Sequence, residues 1–421
     1  MRILWLAPYP HPLDAGAHPV PWVGALAELV CRQPGVELTI LHWTATIAGP
    51  VDEFARDGIR FIYLKTPSVR RDILSLYRRR IALVRAYLQA HQGEYDLLHL
   101  HGSELQLPAM TAGLPVPQLL SVQGIVSEYP RFVPNPFSIL KVLWTLAGYY
   151  ERRYLPAIHH FSCRTHWDKA LVQQLSPGCT IYHNWEIIRP AFFRGPERTE
   201  SAPAARPQVV FMGGTQVMKG FREVLAALDL LRRQADVKLV VAGRAGAAAV
   251  RAEVRRAGLR HVGPADVECR GTLSADELVR LFGDSLCLLH PSYVDNSPNS
   301  VCEAQLAGLP VVAADVGGVS SLIDDGETGL LCTLAPASIA RQALRLLRDG
   351  ALRQRIAGQA ASTARRRHDP AVIVPRTLAI YQAVLRAFHG APALAGPGRG
   401  AADAAPPERP TTQTRNSGEF I

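Results

Sequence analysis

The stretch DNSPNSVCEAQLAGLPVVA, residues 295–313, sets two carboxylates eight positions apart just before a short apolar strand. Asp295 lies in a turn-rich loop, and Glu303 lies in the first turn of the helix that the pattern predicts. A loop that leads into a helix points backbone N–H groups at an anion, and the two acidic side chains are free to hold hydroxyl groups. The stretch therefore indicates a loop–helix–strand unit of an α/β fold that binds an anionic, hydroxyl-bearing ligand.

Two simpler interpretations of this stretch stay open at this point. Ser300-x-x-Glu303 also fits a capping box, in which Glu303 would bond only to the backbone N–H of the capping residue. Asp295 followed by Asn296 also fits an ordinary turn. Because short motifs match by chance, the rest of the chain has to decide between these interpretations.

Composition limits the classes of protein to which the chain can belong. Its 421 residues are enough for two domains, and 48% hydrophobic with 19% charged residues is typical of a globular protein. The formal net charge of +10 favours anionic partners, but no RNA- or DNA-binding signature accompanies it, so we expect no nucleic acid. Seven cysteines are scattered without a C-x-x-C pair, which argues against a disulfide framework and against a structural zinc site.

Short apolar strands alternate with helical patterns in both halves of the chain, which predicts parallel sheets built from βα units. In the first half, predicted strands occupy residues 3–7, 36–43, 59–64, 97–102, 118–124 and 160–163, and predicted helices occupy residues 22–31 and 71–91. In the second half, predicted strands occupy residues 209–212, 238–242 and 287–292, and a predicted helix occupies residues 221–234. Thr165-x-x-Asp168 and Ser274-x-x-Glu277 each predict a capped helix start.

These patterns predict two Rossmann-like βαβ domains that face each other across a cleft at the carboxyl ends of their sheets. Residues 1–195 form the first domain, which a helix at residues 370–389 completes by crossing back, and residues 206–369 form the second. A low-complexity hinge at residues 195–207 separates them. Residues 390–421, rich in Ala, Pro, Gly and Arg, are predicted to be a disordered tail.

Further blocks, all in the expected order, make the chain similar to the retaining GT-B glycosyltransferases of family 4. That family carries an E-x7-E signature where this chain has Asp295 and Glu303. The other matching segments are MGG at 212–214 followed by Lys219-Gly220, LVVAG at 239–243, GTL at 271–273, HPS at 290–292, GGV at 317–319 and DGETG at 325–329. Residues 163–168 and 184–189 look like a branch that builds bacterial surface polysaccharides.

The resemblance implies a GT-B architecture, with an acceptor-binding first domain and a second domain that binds a nucleotide sugar. It implies that Lys219 stabilises the leaving diphosphate, that Asp295 binds hydroxyls of the donor sugar, and that Glu303 binds the ribose. The other donor-binding residues it implies are Gly213, Gly214, Thr215, Arg244, Thr272, Leu273, Asn296, Ser297, Asn299 and Ser300. The acceptor or cleft residues it implies are His101, Gly102, Gln123, Gly124 and Arg164.

Three departures from the family pattern bear on the chemistry. The first acid is Asp295, which is one methylene shorter than the usual Glu. Members commonly have an Arg beside the phosphate-loop glycine, where this chain has Gly213 and Gly214, so the diphosphate needs backbone amides and another cation such as Arg244. Many members have a His where this chain has Gln123, which can hydrogen-bond but cannot take a proton.

The function implied is retaining transfer of a hexose-type sugar from a nucleoside-diphosphate sugar to a polysaccharide or lipid-linked oligosaccharide, in cell-surface glycan biosynthesis. A transferase acting on a small soluble acceptor is one alternative, and a catalytically silent paralogue that only binds sugar nucleotides is another. Paired carboxylates also serve glycoside hydrolases, but the phosphate-type loop and the twin domains disfavour hydrolysis. A dehydrogenase is disfavoured because no G-x-G-x-x-G follows a predicted strand.

We expect neither a cofactor nor a metal, because GT-B enzymes in general need no metal for their chemistry. His99 and His101 alternate along a strand and share a face, but no third ligand is near them in the sequence. Lining the cleft floor and forming a buried hydrogen bond are both open roles for His101.

The cytoplasm is the expected location, with peripheral contact at the inner face of the plasma membrane as a further option. No stretch approaches the ~20 apolar residues of a spanning helix. The apolar segment 138–150, followed by Arg152 and Arg153, and the basic helix from Arg71 would suit anionic lipid headgroups. The other interpretation of segment 138–150 is a core helix of the first domain.

Overall fold

The computed structural model describes residues 1–14, 20–133, 135–195 and 206–390. Within the described residues of the first half, one sheet contains eight strands: β1 (Arg2–Leu6), β2 (Glu37–Thr44), β3 (Val51–Arg56), β4 (Ile59–Lys65), β5 (Leu97–His101), β6 (Gln118–Ser121), β7 (His160–Cys163) and β8 (Thr180–His183). Their order in the sheet is β3-β4-β2-β1-β5-β6-β7-β8. All neighbours pair in parallel except β3 and β4, which form an antiparallel hairpin at the edge.

Helices cover this sheet, and β1 and β5 lie almost wholly buried beneath them, as expected for central parallel strands with apolar residues in succession. The helices are α1 (Pro21–Val30), α2 (Val69–Leu74), α3 (Arg78–Ala90), α4 (Leu107–Thr111), α5 (Ile139–Tyr154), α6 (His166–Leu175) and α7 (Pro190–Arg194). The single helix predicted at residues 71–91 is wrong, because the chain breaks between α2 and α3. Leu76 and Tyr77 adopt positive φ there, and the Tyr150 hydroxyl donates a 2.6 Å hydrogen bond to the Leu76 carbonyl.

The second half repeats the βα pattern with a six-stranded parallel sheet among the described residues. Its strands are β9 (Gln208–Met212), β10 (Lys238–Ala242), β11 (Val267–Gly271), β12 (Cys287–His290), β13 (Val311–Ala314) and β14 (Leu330–Cys332). Their order in the sheet is β11-β10-β9-β12-β13-β14. Its helices are α8 (Phe221–Arg232), α9 (Ala247–Arg256), α10 (Ala275–Gly283), α11 (Asn299–Leu306), α12 (Pro336–Arg348) and α13 (Gly350–Arg367). The prediction of two Rossmann-like domains is confirmed.

The last described helix, α14 (Pro370–Gly390), packs against the first sheet rather than the second. Tyr381 is fully buried, and its hydroxyl accepts a 3.1 Å hydrogen bond from the Trp5 indole and lies 2.8 Å from His99 Nδ1. These contacts join α14 to β1 and β5. Beyond Gly390, the predicted tail lies outside the described residues, as does most of the predicted hinge.

One helical run meets length and composition criteria for a membrane span, which the sequence patterns did not lead us to expect. The run covers Gly350–Gly390, and its most apolar 18-residue window has a mean hydropathy of 1.3 with 33% of that window buried. Core helices of soluble proteins meet the same criteria. The run by itself is weak evidence, so the location of the protein stays a prediction.

Candidate active site

The carboxyl edge of the second sheet brings the phosphate-type loop after β9 against the acidic loop after β12. Gly220 makes this approach possible: its φ is +85°, and a Cβ there would lie 2.7 Å from Pro291 Cγ. No residue with a side chain fits so close to the proline without a shift of one loop. Lys219 and Asp295, which are 76 positions apart in the sequence, are thereby placed side by side.

Lys219 and Asp295 form an ion pair in the cleft, with 2.7 Å between Lys219 Nζ and Asp295 Oδ2. Ser292 Oγ donates to the same carboxylate oxygen at 3.2 Å, and His290 Nε2 lies 3.3 Å from it. Burial would raise the pKa of Asp295, but Lys219 and His290 outweigh that cost and hold it well below its ordinary value. Asp295 is therefore ionised at neutral pH, and it is not an ordinary turn residue.

Glu303 lies on α11 with 4% of its surface exposed and is paired with a cation that the sequence patterns did not reveal. Its Oε1 accepts hydrogen bonds from Arg189 Nε at 3.1 Å and from Arg189 Nη2 at 2.6 Å. Burial raises the pKa of Glu303 and Arg189 opposes the rise. The capping-box interpretation is wrong, because α11 begins after Pro298 and no side chain caps it.

The phosphate-type loop does not present all of its amides to a ligand. Gly214 N–H donates to the Ala242 carbonyl at 3.0 Å, and Thr215 N–H donates to the Arg244 carbonyl at 3.1 Å. These two bonds fasten the loop to the end of β10. Contrary to our expectation, neither N–H is available to a diphosphate in this structure, and a diphosphate-binding role for Lys219 stays a prediction.

Asn296 also departs from its predicted role, because its amide joins the two domains. Its Oδ1 accepts a 2.6 Å hydrogen bond from Thr165 Oγ1, and its Nδ2 donates to Asp168 Oδ2 at 2.9 Å. Beside this contact, His166 Nδ1 lies 2.6 Å from Ser321 Oγ. Asn296 is 2% exposed and fully occupied, so it can shape the donor-sugar pocket only through its backbone or after this contact opens.

The other predicted donor residues lie around the same edge. Asn299 Oδ1 is buried without a hydrogen-bond partner among the described residues, so it can accept a hydrogen bond from a ligand. Ser300 Oγ lies 3.4 Å from His290 Nδ1, and Ser297 next to them is half-buried. Thr272 and Leu273 follow β11, one exposed and one half-buried, and Arg244 is exposed. Their donor-binding roles stay predictions.

In the first domain, Gln123 and Arg164 belong to a buried network rather than to an open acceptor surface. Arg164 pairs with Glu186 at 2.5 Å and donates to the Val122 carbonyl at 2.7 Å. The Gln123 amide donates to the same Glu186 carboxylate at 3.0 Å and accepts from Arg164 at 3.4 Å. These two side chains could contact an acceptor only if the network opened. Their acceptor-binding role stays a prediction, and this structure does not favour it.

His101 ends β5 and is 5% exposed, with its Nε2 buried and without a hydrogen-bond partner in the described part of the chain. Burial, the neighbouring His99 and Arg164 hold the pKa of His101 well below its ordinary value, so the ring is neutral. Gly102 and Gly124 follow β5 and β6 and lie at the carboxyl edge that faces the second domain. Within the described ranges, no group of three His, Cys, Asp or Glu side chains is arranged to hold a metal ion.

The pairing of cations with carboxylates is what the sequence analysis missed. Arg189 and Glu186 occur in a segment that resembles the polysaccharide branch, but no local pattern shows that they contact Glu303 and Arg164. His290 was seen only as part of a matching block. In each case the partners are far apart along the chain, so a tertiary structure is needed to find them.

The sequence of the second domain matches a known family. Residues 206–349 match the family model described as Glycosyl transferases group 1. The D-inositol 3-phosphate glycosyltransferase of Arthrobacter sp. (strain FB24) is 26% identical over 343 residues, which cover 76% of this chain and 78% of that protein.

Solved structures share the fold over nearly the whole chain. Sucrose-phosphate synthase from Thermosynechococcus elongatus superposes with a TM-score of 0.73 at 18% identity, over 92% of this chain and 99% of that one. Anabaena HepE in complex with UDP-glucose has a TM-score of 0.61 at 16% identity, over 93% of this chain and 100% of that one. WaaG, a glycosyltransferase involved in lipopolysaccharide biosynthesis, has a TM-score of 0.64 at 14% identity, over 93% of this chain and 100% of that one.

Proposed function

This chain is a glycosyltransferase of the GT-B type whose second domain belongs to the group 1 family, and we propose that it transfers a hexose from a nucleoside-diphosphate sugar with retention of configuration. The observation that carries the proposal is the ion pair of Lys219 with Asp295 at the carboxyl edge of the second sheet, next to buried Glu303. A cation and two carboxylates at one edge suit an anionic leaving group and a ligand rich in hydroxyls.

Each of the three side chains has a role in the proposed reaction. Lys219 leaves Asp295 for the diphosphate, whose negative charge grows as the bond from the sugar C1 to the phosphate oxygen breaks. Asp295, released from Lys219, accepts hydrogen bonds from the sugar hydroxyls, and Glu303 accepts them from the ribose. The acceptor oxygen bonds to C1 on the face that the diphosphate leaves, and its proton passes to the departing phosphate oxygen. No metal and no cofactor take part in this proposal.

A UDP-sugar is the first donor to test, because HepE, which shares the fold, binds UDP-glucose. The experiment is a panel of UDP-, GDP-, ADP- and TDP-sugars, scored by thermal shift and by slow hydrolysis of the donor. We expect one donor to stabilise the protein and to be hydrolysed, and Lys219→Ala and Glu303→Ala to abolish turnover. Lys238→Ala is the matched control, since Lys238 pairs with Glu268 on an edge strand away from the cleft. Nucleotide binding without turnover would instead support the silent paralogue.

For the acceptor we propose a polysaccharide or a lipid-linked oligosaccharide at an anionic membrane surface, because the first domain exposes an apolar patch. The term patch refers here to exposed apolar side chains of two segments that the hydrogen bond from Tyr150 to Leu76 joins: Val69 (74% exposed), Leu74 (83%), Leu76 (47%), Phe137 (91%), Ile139 (72%), Val142 (58%) and Tyr149 (61%). The interpretation of residues 138–150 as a core helix is wrong for the first half of α5, which is largely exposed. Large exposed apolar patches mark sites of interaction.

The charges around the patch favour an anionic bilayer as the occupant. Six arginines next to it in sequence are exposed: Arg70, Arg71, Arg78, Arg79, Arg152 and Arg153. Apolar side chains flanked by cations are typical of segments that lie in the interface of anionic lipids. Shared fold with WaaG also points to surface glycans, whereas D-inositol 3-phosphate glycosyltransferase and sucrose-phosphate synthase point by name to small acceptors.

Sedimentation with vesicles distinguishes these acceptor classes. We expect the protein to bind vesicles that contain phosphatidylglycerol but not vesicles of phosphatidylcholine alone, and the double variant Phe137→Ser, Ile139→Ser to lose about tenfold or more in binding. Val372→Ser, which removes an exposed valine outside the patch, is the control. If the protein binds neither kind of vesicle and transfers sugar to soluble polyols or their phosphates, the small-acceptor alternative replaces this proposal.

A further inference from the structure

The loop after β5 carries a carboxylate that none of the roles above uses. Glu104 lies three residues beyond His101, at the carboxyl edge of the first sheet, in the space that two glycines leave open. A Cβ on Gly102 would overlap Glu104 Oε2, and a Cβ on Gly124 would lie 3.1 Å from Glu104 Oε1. Gly102 has φ of +92°, so an ordinary residue is disfavoured there in any case. Because neither glycine has a side chain, the Glu104 carboxylate fits between the ends of β5 and β6.

Tyr129 places a hydroxyl beside this carboxylate. The hydroxyl occupies the space where Gly124 would have a Cβ, and the ring packs edge-on against Trp144 with 5.2 Å between ring centroids. Burial raises the pKa of Tyr129 well above its ordinary value, and the charges of Glu104 and Asp295 raise it further. Gly124 follows β6, which neighbours β7 in the sheet, and Thr165, just after β7, contacts Asn296 of the acidic loop. Glu104 and Tyr129 therefore lie at the edge of the first sheet that meets the acidic loop.

Glu104 differs from the other carboxylates of the cleft in its partners. Asp295, Glu303 and Glu186 each pair with a lysine or an arginine. Among the described residues no Lys, Arg or His lies within ion-pair distance of Glu104. Burial raises its pKa to about 7, the charge of Glu151 adds to the rise, and the backbone N–H groups of its own loop and of Gly124 oppose it. A carboxylate can accept about four hydrogen bonds, so Glu104, which has no cation beside it, can accept a further one from a ligand.

We propose that Glu104, with Tyr129 beside it, binds the attacking hydroxyl of the acceptor and aims its oxygen at the donor sugar held by Asp295. This proposal rests on the proposed function. The Glu104 carboxylate accepts a hydrogen bond from the attacking hydroxyl, which orients the oxygen towards C1. The balance of the reaction is unchanged: the C1–phosphate oxygen bond breaks, the C1–acceptor oxygen bond forms, and the proton ends on the diphosphate.

The test uses water as the attacking molecule, because hydrolysis of the donor needs no identified acceptor. We expect Glu104→Gln to lower kcat for donor hydrolysis by about 30-fold or more, with the donor KM and the Kd of the nucleoside diphosphate within threefold of the wild type. Tyr129→Phe is expected to lower kcat by about tenfold and serves if Glu104→Gln folds poorly. Glu94→Gln, which removes an exposed carboxylate, is the control and should leave all three constants unchanged.

A pH profile separates acceptor binding from a merely structural role. The titratable groups that act on Glu104 or on its neighbour Tyr129 are Glu151 on α5, Tyr129 itself on the segment after β6, and Asp295 on the acidic loop. We expect hydrolysis by the wild type to rise with pH through about 7 as Glu104 ionises, and the rise to vanish in Glu104→Gln. If Glu104→Gln hydrolyses the donor at the rate of the wild type, or if the substitution leaves the pH profile unchanged, this proposal alone is overturned. A wild type that binds no donor overturns the proposed function as well.

Discussion

At the scale of single residues, the charged groups of the cleft are paired with one another. Lys219 bonds to Asp295 and Arg189 to Glu303, so a diphosphate must compete for Lys219 with a carboxylate 2.7 Å away. The pair is partly exposed, with 36% of the lysine and 16% of the aspartate side chain accessible, so its strength is about 1 kcal/mol. If Lys219 binds the diphosphate as proposed, binding of the donor includes an exchange of ion-pair partners.

Asp295→Asn is expected to change binding and turnover in opposite directions. The substitution frees Lys219, so the nucleoside diphosphate should bind about fivefold more tightly, given about 1 kcal/mol for the lost pair and 1.4 kcal/mol per factor of ten. Turnover should fall by about a hundredfold or more, because the amide holds the sugar hydroxyls less well than the carboxylate. Titration calorimetry with the nucleoside diphosphate and initial rates of donor hydrolysis check both parts. Weaker binding by the variant would show that Lys219 does not have to leave Asp295.

The residues that local patterns identify are those whose partners are also local. The capping boxes that begin α6 at Thr165 and α10 at Ser274 are both present, because cap and third helical residue are three positions apart. The predictions for Lys219 and Asp295 came from resemblance, and no local rule shows that they touch. The resemblance also implies the acceptor-side roles of Gln123 and Arg164, and no local pattern shows that both side chains bond to Glu186.

At the scale of secondary-structure elements, α11 shows how one helix depends on a charge from a neighbouring element. Arg189 precedes α7 and reaches Glu303 across 114 positions of sequence, while its guanidinium also lies 4.9 Å from the centroid of the Phe192 ring. Glu303 is almost fully buried, so the carboxylate depends on this cation for its compensation.

Arg189→Ala is expected to lower the free energy of unfolding by about 2–3 kcal/mol at pH 8, because it leaves a buried carboxylate unpaired. The loss should shrink at pH 5, where the carboxyl can accept a proton, since its pKa is already raised and rises further without the cation. Urea denaturation at the two pH values measures both effects. Arg194→Ala, at the opposite end of α7, is the control, because its ion pair with Asp276 is exposed and should contribute under about 1 kcal/mol. A loss equal at both pH values would contradict the explanation.

The sequence predicts the strands and helices better than it predicts the turns and helix breaks between them. Continuous apolar runs predict the central strands because both faces of a parallel sheet are covered. The hairpin of β3 and β4 was missed although Asp57-Gly58, both with positive φ, is a typical two-residue turn. The break between α2 and α3 had no such signal, because Leu76 and Tyr77 are held in positive φ by a contact with the distant Tyr150.

At the scale of the whole molecule, the two domains meet through α6 and the acidic loop. Gly318 allows this contact, since a Cβ there would lie 2.5 Å from Thr165 Oγ1. The network of Asn296, Thr165 and Asp168 is buried, so the described structure is closed at this point. The sequence patterns predicted the cleft between the domains but not this contact, which depends on how the domains are placed relative to each other.

Gly318→Ala is expected to open the molecule at this contact, because the added methyl group would overlap the Asn296 carbonyl oxygen on one side and Thr165 of the other domain on the other. Small-angle X-ray scattering should show a larger radius of gyration, and donor hydrolysis should fall by about tenfold while the nucleotide Kd, which depends on the second domain, stays within threefold. Gly358→Ala is the matched control, since a Cβ there meets nothing within 4 Å. An unchanged scattering curve would mean that the interface absorbs the added methyl group.

The stability of the folded chain should fall as the pH falls below about 6.5. His99 and His368 are buried and neutral, and burial lowers the pKa of each from 6.5 to about 3. The unfolded chain therefore binds protons between these values that the folded chain does not, which removes stability by up to about 1.4 kcal/mol per pH unit for each histidine. We expect His99→Gln to flatten the dependence of the free energy of unfolding on pH between 4 and 6.5, and His159→Gln, at an exposed position, to leave it unchanged.

The side chain of Asn296 ties the acidic loop of one domain to α6 of the other, directly beside Asp295. A donor that rearranges the acidic loop therefore also changes the contacts that this loop makes with α6 in the first domain. If the donor changes the Kd of the acceptor by some factor, thermodynamic linkage requires the acceptor to change the Kd of the donor by the same factor. The two substrates of this enzyme are accordingly expected to show heterotropic cooperativity, and Asn296→Ala should bring both factors close to one.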